Sequence, residues 1–511
     1  MTLKITVRML YMAFICLGFT SCFNDNRETA NAIITIDTSI RRQYVRGFGA
    51  MDTPGDQNFS AIPAEHFDKL YNPDTGLALN ILRIYIPPVN SDIRAVMKVY
   101  ASHTRPQYYA QIKKVNEWGG YVFASPWSPP GVWKNNGSAN GDNSVKGEER
   151  AAFLKSEHYL DYAGYLKEFC LLMTDNYAPI YAISIQNEPN YSEATYPGCM
   201  WTGEEMRDFL KTAGRFTEGT IGYGGGRAQP FVKIMNGESA NTPSVNDAAL
   251  DDQKSREVID LLGRHIYGEL SGTGSRYEKA FEYGKELWMT EHCVNDDHQR
   301  LIPGAPSNHE NTATWNHVWR FMNDVDLVIR INEMSVYIAY PLRRFYSLMG
   351  DDARFGSPGA GEILPRGYGI SHYAKFAKET WNVALNASGK TKDGKKIKTG
   401  DNFNNTEVSH GSTAVKVCAF ESPDGNSISV VMWTPTDING SGGIDMGLIR
   451  IKLPDGFTAK TASAMRSSSE NNGKTADEAV TLSDDGASAL VTLPAGNILS
   501  VRFTRQADIN R

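Results

Sequence analysis

Cysteine is scarce in this sequence, six residues in 511, and no two of them form a CxxC pair. Beyond Cys22 only Cys170, Cys199, Cys293 and Cys418 remain, spaced too widely for a zinc knuckle or a dense disulfide framework. An excess of basic residues is also lacking. The formal net charge is -6, so no surface is indicated that would neutralise phosphates, and nucleic acid is excluded as the expected partner. No GxGxxG or GxxxxGKS loop is present; GYGGGR from Gly222 has no strand ahead of it and reads as a turn. No GxSxG elbow occurs either, which disfavours a Ser-His-Asp hydrolase. Long apolar runs are missing too. The run MLYMAFICLGFT, preceded by Lys4 and Arg8, is too short to span a bilayer and reads as the core of a signal peptide. Ser21 and Cys22 close it in the manner of a bacterial lipoprotein processing site. The expectation is a signal peptide over 1–21, lipid attachment at Cys22 and a tether over 22–30. Such a protein is exported and held at a bacterial membrane, on its periplasmic or cell-surface side, by acyl chains alone.

Aromatic side chains are plentiful by contrast: 9 Trp, 24 Tyr and 21 Phe, many beside Pro, Gly or Asn. Placed there, they suit a ligand platform as well as loop packing. Between residues 44 and 378 a unit recurs in which a short β-rich run emerges into a turn-rich or acidic stretch and an amphipathic segment often follows. The runs are YVRGFGAMDTP, LNILRIYIPP, GYVFASPWSPP, YAISIQNEP, FVKIMNGES, LLGRHIYG, LWMTEHC and VYIAYPLRR. Between them, the segment from Glu157 sets Tyr159, Tyr162, Ala163, Leu166, Phe169 and Cys170 on one helical stripe. Thr202 followed by Glu205 reads as a capping box for another helix. Eight nearly continuous apolar strands alternating with helices predict an α/β fold, a (β/α)8 TIM barrel rather than an open sheet.

From about Trp381 helical patterning gives way to short alternating runs, TAVKVCAFE, SISVVMWTP, GLIRIKLP, AVTLS, ALVTLPAG and ILSVRFTR, separated by turn clusters. They predict an antiparallel β-sandwich domain over 379–511. The alternating NAIITID lies ahead of the first barrel strand, and segment 31–43 is expected to add a strand to that sandwich. The lysine-rich stretch from Lys390 to Asn402 reads as a solvated turn.

In a barrel of this kind the reactive groups sit at the C-terminal ends of strands. The fourth run ends in Asn187 and Glu188 and the seventh in Glu291 and His292, so two carboxylates converge on one cleft. Glycosidic hydrolysis needs that pair, one protonated to donate to the departing oxygen and one ionised to attack or to activate water. Proximity pushes their affinities for a proton apart and divides the work. Pro189 should restrict Glu188 to an extended backbone and hold its carboxylate in place. Trp127 and Trp133 in SPWSPPGVW could stack on sugar rings, and His265 and Tyr267 in RHIYG could bond hydroxyls. Asp296, Asp297 and His298 follow the seventh run without the spacing of a calcium loop, and neither metal nor cofactor is expected.

The ordered set RGFGAMDTP, ILRIYI, VFASPWSPPGVWK, YAISIQNEPNY, LGRHIYG, ELWMTEH, LRRFYSLMGDD and RGYGISHYAKFAK resembles glycoside hydrolase family 30 over essentially the whole mature chain. That resemblance implies a (β/α)8 barrel with a side β-sandwich built from both chain ends and cleavage of β-glycosidic bonds with retention. It implies Glu188 as acid/base, Glu291 as nucleophile and Asn187 on the sugar 2-hydroxyl. RRFY followed by RGYGISHYAKF is most similar to the glucuronoxylanase branch, which implies Arg343, or else Arg344, beside Tyr340, as the reader of a glucuronate carboxylate on xylan. Ala339 and Cys293 depart from that branch, each removing surface from such a pocket. The leading expectation is therefore an endo-β-glycanase on xylan-like polysaccharide or oligosaccharide, acting as a monomer. A related enzyme on another β-glycan, such as β-1,6-glucan, and a non-catalytic glycan-binding lipoprotein are the alternatives.

Overall fold

The computed structural model describes residues 30–52, 62–99, 101, 107–142, 152–267, 276–293, 315, 318–344, 347–350, 359–399, 406–407, 415–436 and 443–505. Cys22, Asp296, Asp297 and His298 lie outside them.

Eight parallel strands close into a barrel: Gly47–Asp52, Ile81–Ile86, Tyr121–Pro126, Ala182–Ser184, Lys233–Ala240, Leu261–His265, Glu286–His292 and Val336–Ala339. Each pairs with the next, and the eighth returns to the first at Val336 opposite Gly47. The lumen is filled by Met51, Ile81, Tyr85, Tyr121, Phe123, Tyr181, Ala182, Met235, Leu261, Trp288, Val336 and Ile338. Alternation along Ile81–Ile86 sends Ile81 and Tyr85 into that lumen, and Arg83 lies between them. Two strands depart from regular alternation. The register slips by one residue between Gly237 and Ser239, and again between Met289 and Glu291. Each slip re-aims the glutamate beside it, Glu238 and Glu291, toward the mouth of the barrel.

Helix Tyr159–Asp175 buries the anticipated stripe against the outside of the barrel. Helix Gly203–Ala213 begins with the capping box of Thr202 and Glu205. The glycine cluster is the turn of a hairpin, in which Gly222–Gly224 and Arg227–Gln229 pair around Gly225 and Gly226, at φ +64° and +72°.

The second layer is a ten-stranded sheet with its own core. Its order runs Lys474–Thr475, Thr461–Ser467, Ile498–Thr504, Ser427–Trp433, Lys416–Glu421, Thr380–Gly389, Ala32–Val45, Gly447–Lys452, Ser488–Leu493, Val480–Leu482. Strands near opposite ends of that order touch, so the sheet folds over itself as a sandwich. All pairings are antiparallel except that of Ala32–Val45 with Gly447–Lys452, where the strand nearest the N-terminus enters in the parallel sense. Helix Pro365–Phe376 packs the barrel onto this domain, with His372 between the hydroxyls of Ser500 and Ser467 at 2.8 and 2.9 Å. Trp319 stacks on Trp433 across the same seam. Cys170, Cys199, Cys293 and Cys418 are free thiols.

Candidate active site

The polar groups at the C-terminal mouth of the barrel are organised around a guanidinium. Arg83 is wholly buried, a state a cation tolerates only with carboxylate partners. Its Nη1 donates to Glu291 Oε2, and its Nη2 donates to Asn187 Oδ1 at 2.6 Å and Ser125 Oγ at 3.1 Å. Glu238 Oε1 lies 3.0 Å from the same Nη2. Burial alone would lower the pKa of Arg83, but the charges of Glu238 and Glu291 outweigh it and raise it.

The two strand-end glutamates meet across this group. One oxygen of Glu188, one of Glu291 and a ring nitrogen of His265 all lie within 4.8 Å of one another. Glu188 Oε1 is 3.0 Å from His265 Nδ1, and Tyr267 donates its hydroxyl to Glu291 Oε1. Burial, and after it the charge of Glu291, holds the Tyr267 phenol well above its ordinary pKa, so it remains a donor. His265 is fully buried, which would by itself favour the neutral ring; Glu291, Glu188 and Glu238 reverse that and push its pKa up to about 9. The span of the three groups would admit a divalent ion. Arg83 and the imidazolium supply the positive charge there, and an ion would have to displace the ring proton.

Glu188 does not take the extended backbone expected before Pro189. Its φ is +45°, in the left-handed region that few non-glycine residues occupy. Tertiary bonds override the local bias: its N–H donates to the Glu238 carbonyl at 3.0 Å and its own carbonyl accepts from Tyr191 N–H at 3.0 Å. Strain of this kind, of order 1–3 kcal/mol, persists only where surrounding structure fixes it.

Asn187, Glu188, His265, Tyr267 and Glu291 are thus brought together. Trp127 packs edge-on against Tyr85 and Tyr196 and, like Tyr340, rests on the lumen core at the barrel outlet. Trp133 stacks on His158, in the turn ahead of helix Tyr159–Asp175, and meets Tyr165 of that helix edge-on. Arg343 is buried after the eighth strand, where burial, Lys69 and Arg343 together lower the pKa of His66. Arg344 anchors the same turn, its N–H donating to the Met349 carbonyl at 2.9 Å. His292, next to the Glu291 carboxylate in sequence, turns away and bonds the Tyr337 hydroxyl at 2.6 Å, held neutral with a pKa of about 3 by burial and the charge of Arg366.

Sequence reasoning missed Arg83, Ser125 and Glu238. A charged residue in the middle of ILRIYI was the available signal, since such a buried cation requires a carboxylate elsewhere.

Residues 45–293 match the model of the Glycosyl hydrolase family 30 TIM-barrel domain. The chain is 27% identical over 384 residues to a Bacillus subtilis protein named Glucuronoxylanase XynC, covering 74% of this chain and 77% of that one. It is 27% identical over 268 residues to the mouse lysosomal acid glucosylceramidase, covering 47% and 49%. A solved family 30 subfamily 8 xylanase from Clostridium acetobutylicum superposes with a TM-score of 0.67 at 23% identity, covering 92% of this chain and 99% of that one. Residues 45–293 thus form a family 30 glycosyl hydrolase TIM-barrel domain, and the protein is a glycoside hydrolase of the family 30-like class.

Proposed function

We propose that the protein is an exported, lipid-anchored, retaining endo-β-glycanase of xylan-like hemicellulose. The carrying observation is the approach of Glu188 and Glu291 oxygens to within 4.8 Å at the barrel mouth. Retaining enzymes set their carboxyl groups about 5–5.5 Å apart, whereas inverting ones leave roughly 6.5–9.5 Å for a water. The names of the glucuronoxylanase and xylanase relatives support the substrate class.

In the first half-reaction Glu291 attacks the anomeric carbon while the bond to the departing oxygen breaks and that oxygen takes the proton of Glu188. In the second, Glu188 takes a proton from water, the water oxygen bonds the anomeric carbon, and the electron pair of the ester returns to Glu291. Arg83 and Tyr267 hold Glu291 on its line of attack through the bonds described above. Asn187, oriented by Arg83, is assigned to the sugar 2-hydroxyl and Arg343 to a glucuronate side group. One chain supplies both glutamates, so a monomer suffices.

Incubation with glucuronoxylan, arabinoxylan free of glucuronate and β-1,6-glucan, followed by sizing of products, tests the substrate. Release of aldouronic oligosaccharides from the first alone supports glucuronate reading; cleavage of β-1,6-glucan alone overturns the xylan assignment, and no cleavage of any overturns the polysaccharide assignment. Anchoring is tested by Cys22→Ser, which should move the protein from membrane to soluble fractions.

A further inference from the structure

Glu238 is a third carboxylate at the mouth, on the fifth barrel strand, and the double displacement leaves it without a chemical step. It is fully buried, at φ +57°, beside the register slip of its strand. A methyl group at Gly263 on the neighbouring strand would lie 2.6 Å from its Cγ, so the sixth strand leaves room for this side chain. Its Oε2 accepts from Ser125 Oγ at 2.6 Å, while Oε1 lies 3.0 Å from Arg83 Nη2 and 3.7 Å from His265 Nε2, the last an ion-pair distance too long for a hydrogen bond. It therefore touches both cations of the site, and those cations touch Glu291 and Glu188 in turn.

Counting charges shows what it does. In the retaining mechanism proposed above, Arg83, His265, Glu238 and Glu291 carry charge before glycosyl transfer, two positive and two negative, and Glu188 holds the proton to be donated: the sum is zero. After transfer Glu291 is an uncharged ester and Glu188 has given up its proton, and the sum is zero again. Without Glu238 both states carry an uncompensated positive charge in a desolvated site. The other groups facing the cluster, Tyr162, Tyr191, Tyr196, Tyr267 and Cys293, have pKa values raised above their ordinary ones and stay uncharged at neutral pH. Glu193, beyond Tyr191, is joined to it by a 2.7 Å bond on the exposed side.

We infer that Glu238 is a positioning residue for the reaction, a fixed counter-ion that keeps Arg83 and His265 cationic and lets Glu188 retain its proton until the leaving group takes it. Its carboxyl stays ionised in that role. Burial would raise its pKa, but Arg83, His265 and Ser125 outweigh that and hold it at about 2. This inference rests on the retaining mechanism proposed above.

The test is the pH profile of kcat/KM for wild type, Glu238→Gln and His265→Gln on the xylan that the wild type cleaves. Removing the negative charge should stabilise ionised Glu188 and move the alkaline limb of Glu238→Gln down by about one pH unit or more, with roughly tenfold lower activity at pH 7. Removing the positive charge in His265→Gln should move that limb up. Glu238→Asp should return it toward wild type. A Glu238→Gln limb that stays put while activity falls overturns the inference, because it indicates a packing role only. Should Glu238→Gln fail to fold, the upward shift of His265→Gln decides, and its absence overturns the inference. Failure of wild type on every glycan would instead overturn the function proposed above.

Discussion

The seventh barrel strand carries a glutamate at each end, and the two have opposite surroundings. Glu286, at the N-terminal end, is bound by Arg46 in a two-pronged pair, with Nε donating at 2.8 Å, and accepts from Trp288 Nε1 at 3.1 Å. The rings of Tyr44, Tyr121 and Tyr181 surround that guanidinium at 5.1–5.7 Å. Tyr121 also links Arg46 to a second acid, its hydroxyl accepting from Arg46 Nη1 at 3.1 Å and donating to Glu379 at 2.8 Å, and the aromatic collar closes the barrel floor. Glu291, at the other end, shares Arg83 with Glu238 and Asn187 and faces Glu188 across an opening. Both ends contain an Arg–Glu pair, yet on the floor Glu286 and Glu379 are matched by Arg46 and Lys233, whereas at the mouth three carboxylates meet two cations. In the proposed mechanism the surplus carboxylate, Glu188, carries the proton that the leaving group takes.

The contrast is broken or sharpened by substitution at each end. Glu291→Gln should reduce kcat on xylan by about 10⁴-fold or more, since the change removes the nucleophile. Glu188→Gln should cost about 10²–10⁴-fold, less when the substrate carries a leaving group that needs no proton. Glu286→Gln should do the reverse: a loss of roughly 2–3 kcal/mol in denaturant unfolding, between the values for exposed and fully buried pairs, with kcat/KM within about threefold of wild type.

The smallest expected effect separates the two ends by pH. His265 has a folded pKa raised from 6.5 to about 9, so its contribution to stability is full below 6.5 and lost as pH rises toward 9. Glu286 is shifted the other way, as Arg46 outweighs the effect of burial, so its contribution is full above the ordinary carboxylate value and is lost on acidification. Urea midpoints should therefore fall between pH 6.5 and 9 in wild type and flatten in His265→Gln, while Glu286→Gln flattens only the acid side. A wild-type midpoint constant across the alkaline range would contradict the charged state assigned to His265.

Much of the architecture was legible because parallel strands buried on both faces leave nearly continuous apolar runs, as in YAISI and LLG. The sandwich was less complete. Thr380–Gly389 and Thr461–Ser467 give little strand signal, because TWNVALNASG mixes polar and apolar positions and TASAMRS has no β-branched or aromatic series. At the site, Glu188 and Glu291 were visible as acids ending apolar runs. Glu238 was not: it sits in MNGES, where a glycine and a serine resemble loop, and its inward aim comes from a register slip that residue alternation does not record. The extended backbone expected for Glu188 failed for a similar reason, since its bond to the Glu238 carbonyl ties the loop after the fourth strand to the fifth strand. Trp133 shows the converse, an aromatic in a suggestive motif that is engaged by His158 and Tyr165.

In the proposed mechanism Glu291 forms a covalent glycosyl ester that Glu188 first helps to make and then helps to release. Peptide mapping by mass spectrometry after incubation with a 2-deoxy-2-fluoro xylo-oligosaccharide carrying a good leaving group tests it most directly. One sugar adduct is expected, on Glu291, and none in Glu291→Gln. An adduct on Glu188 or Glu238 would contradict the claim.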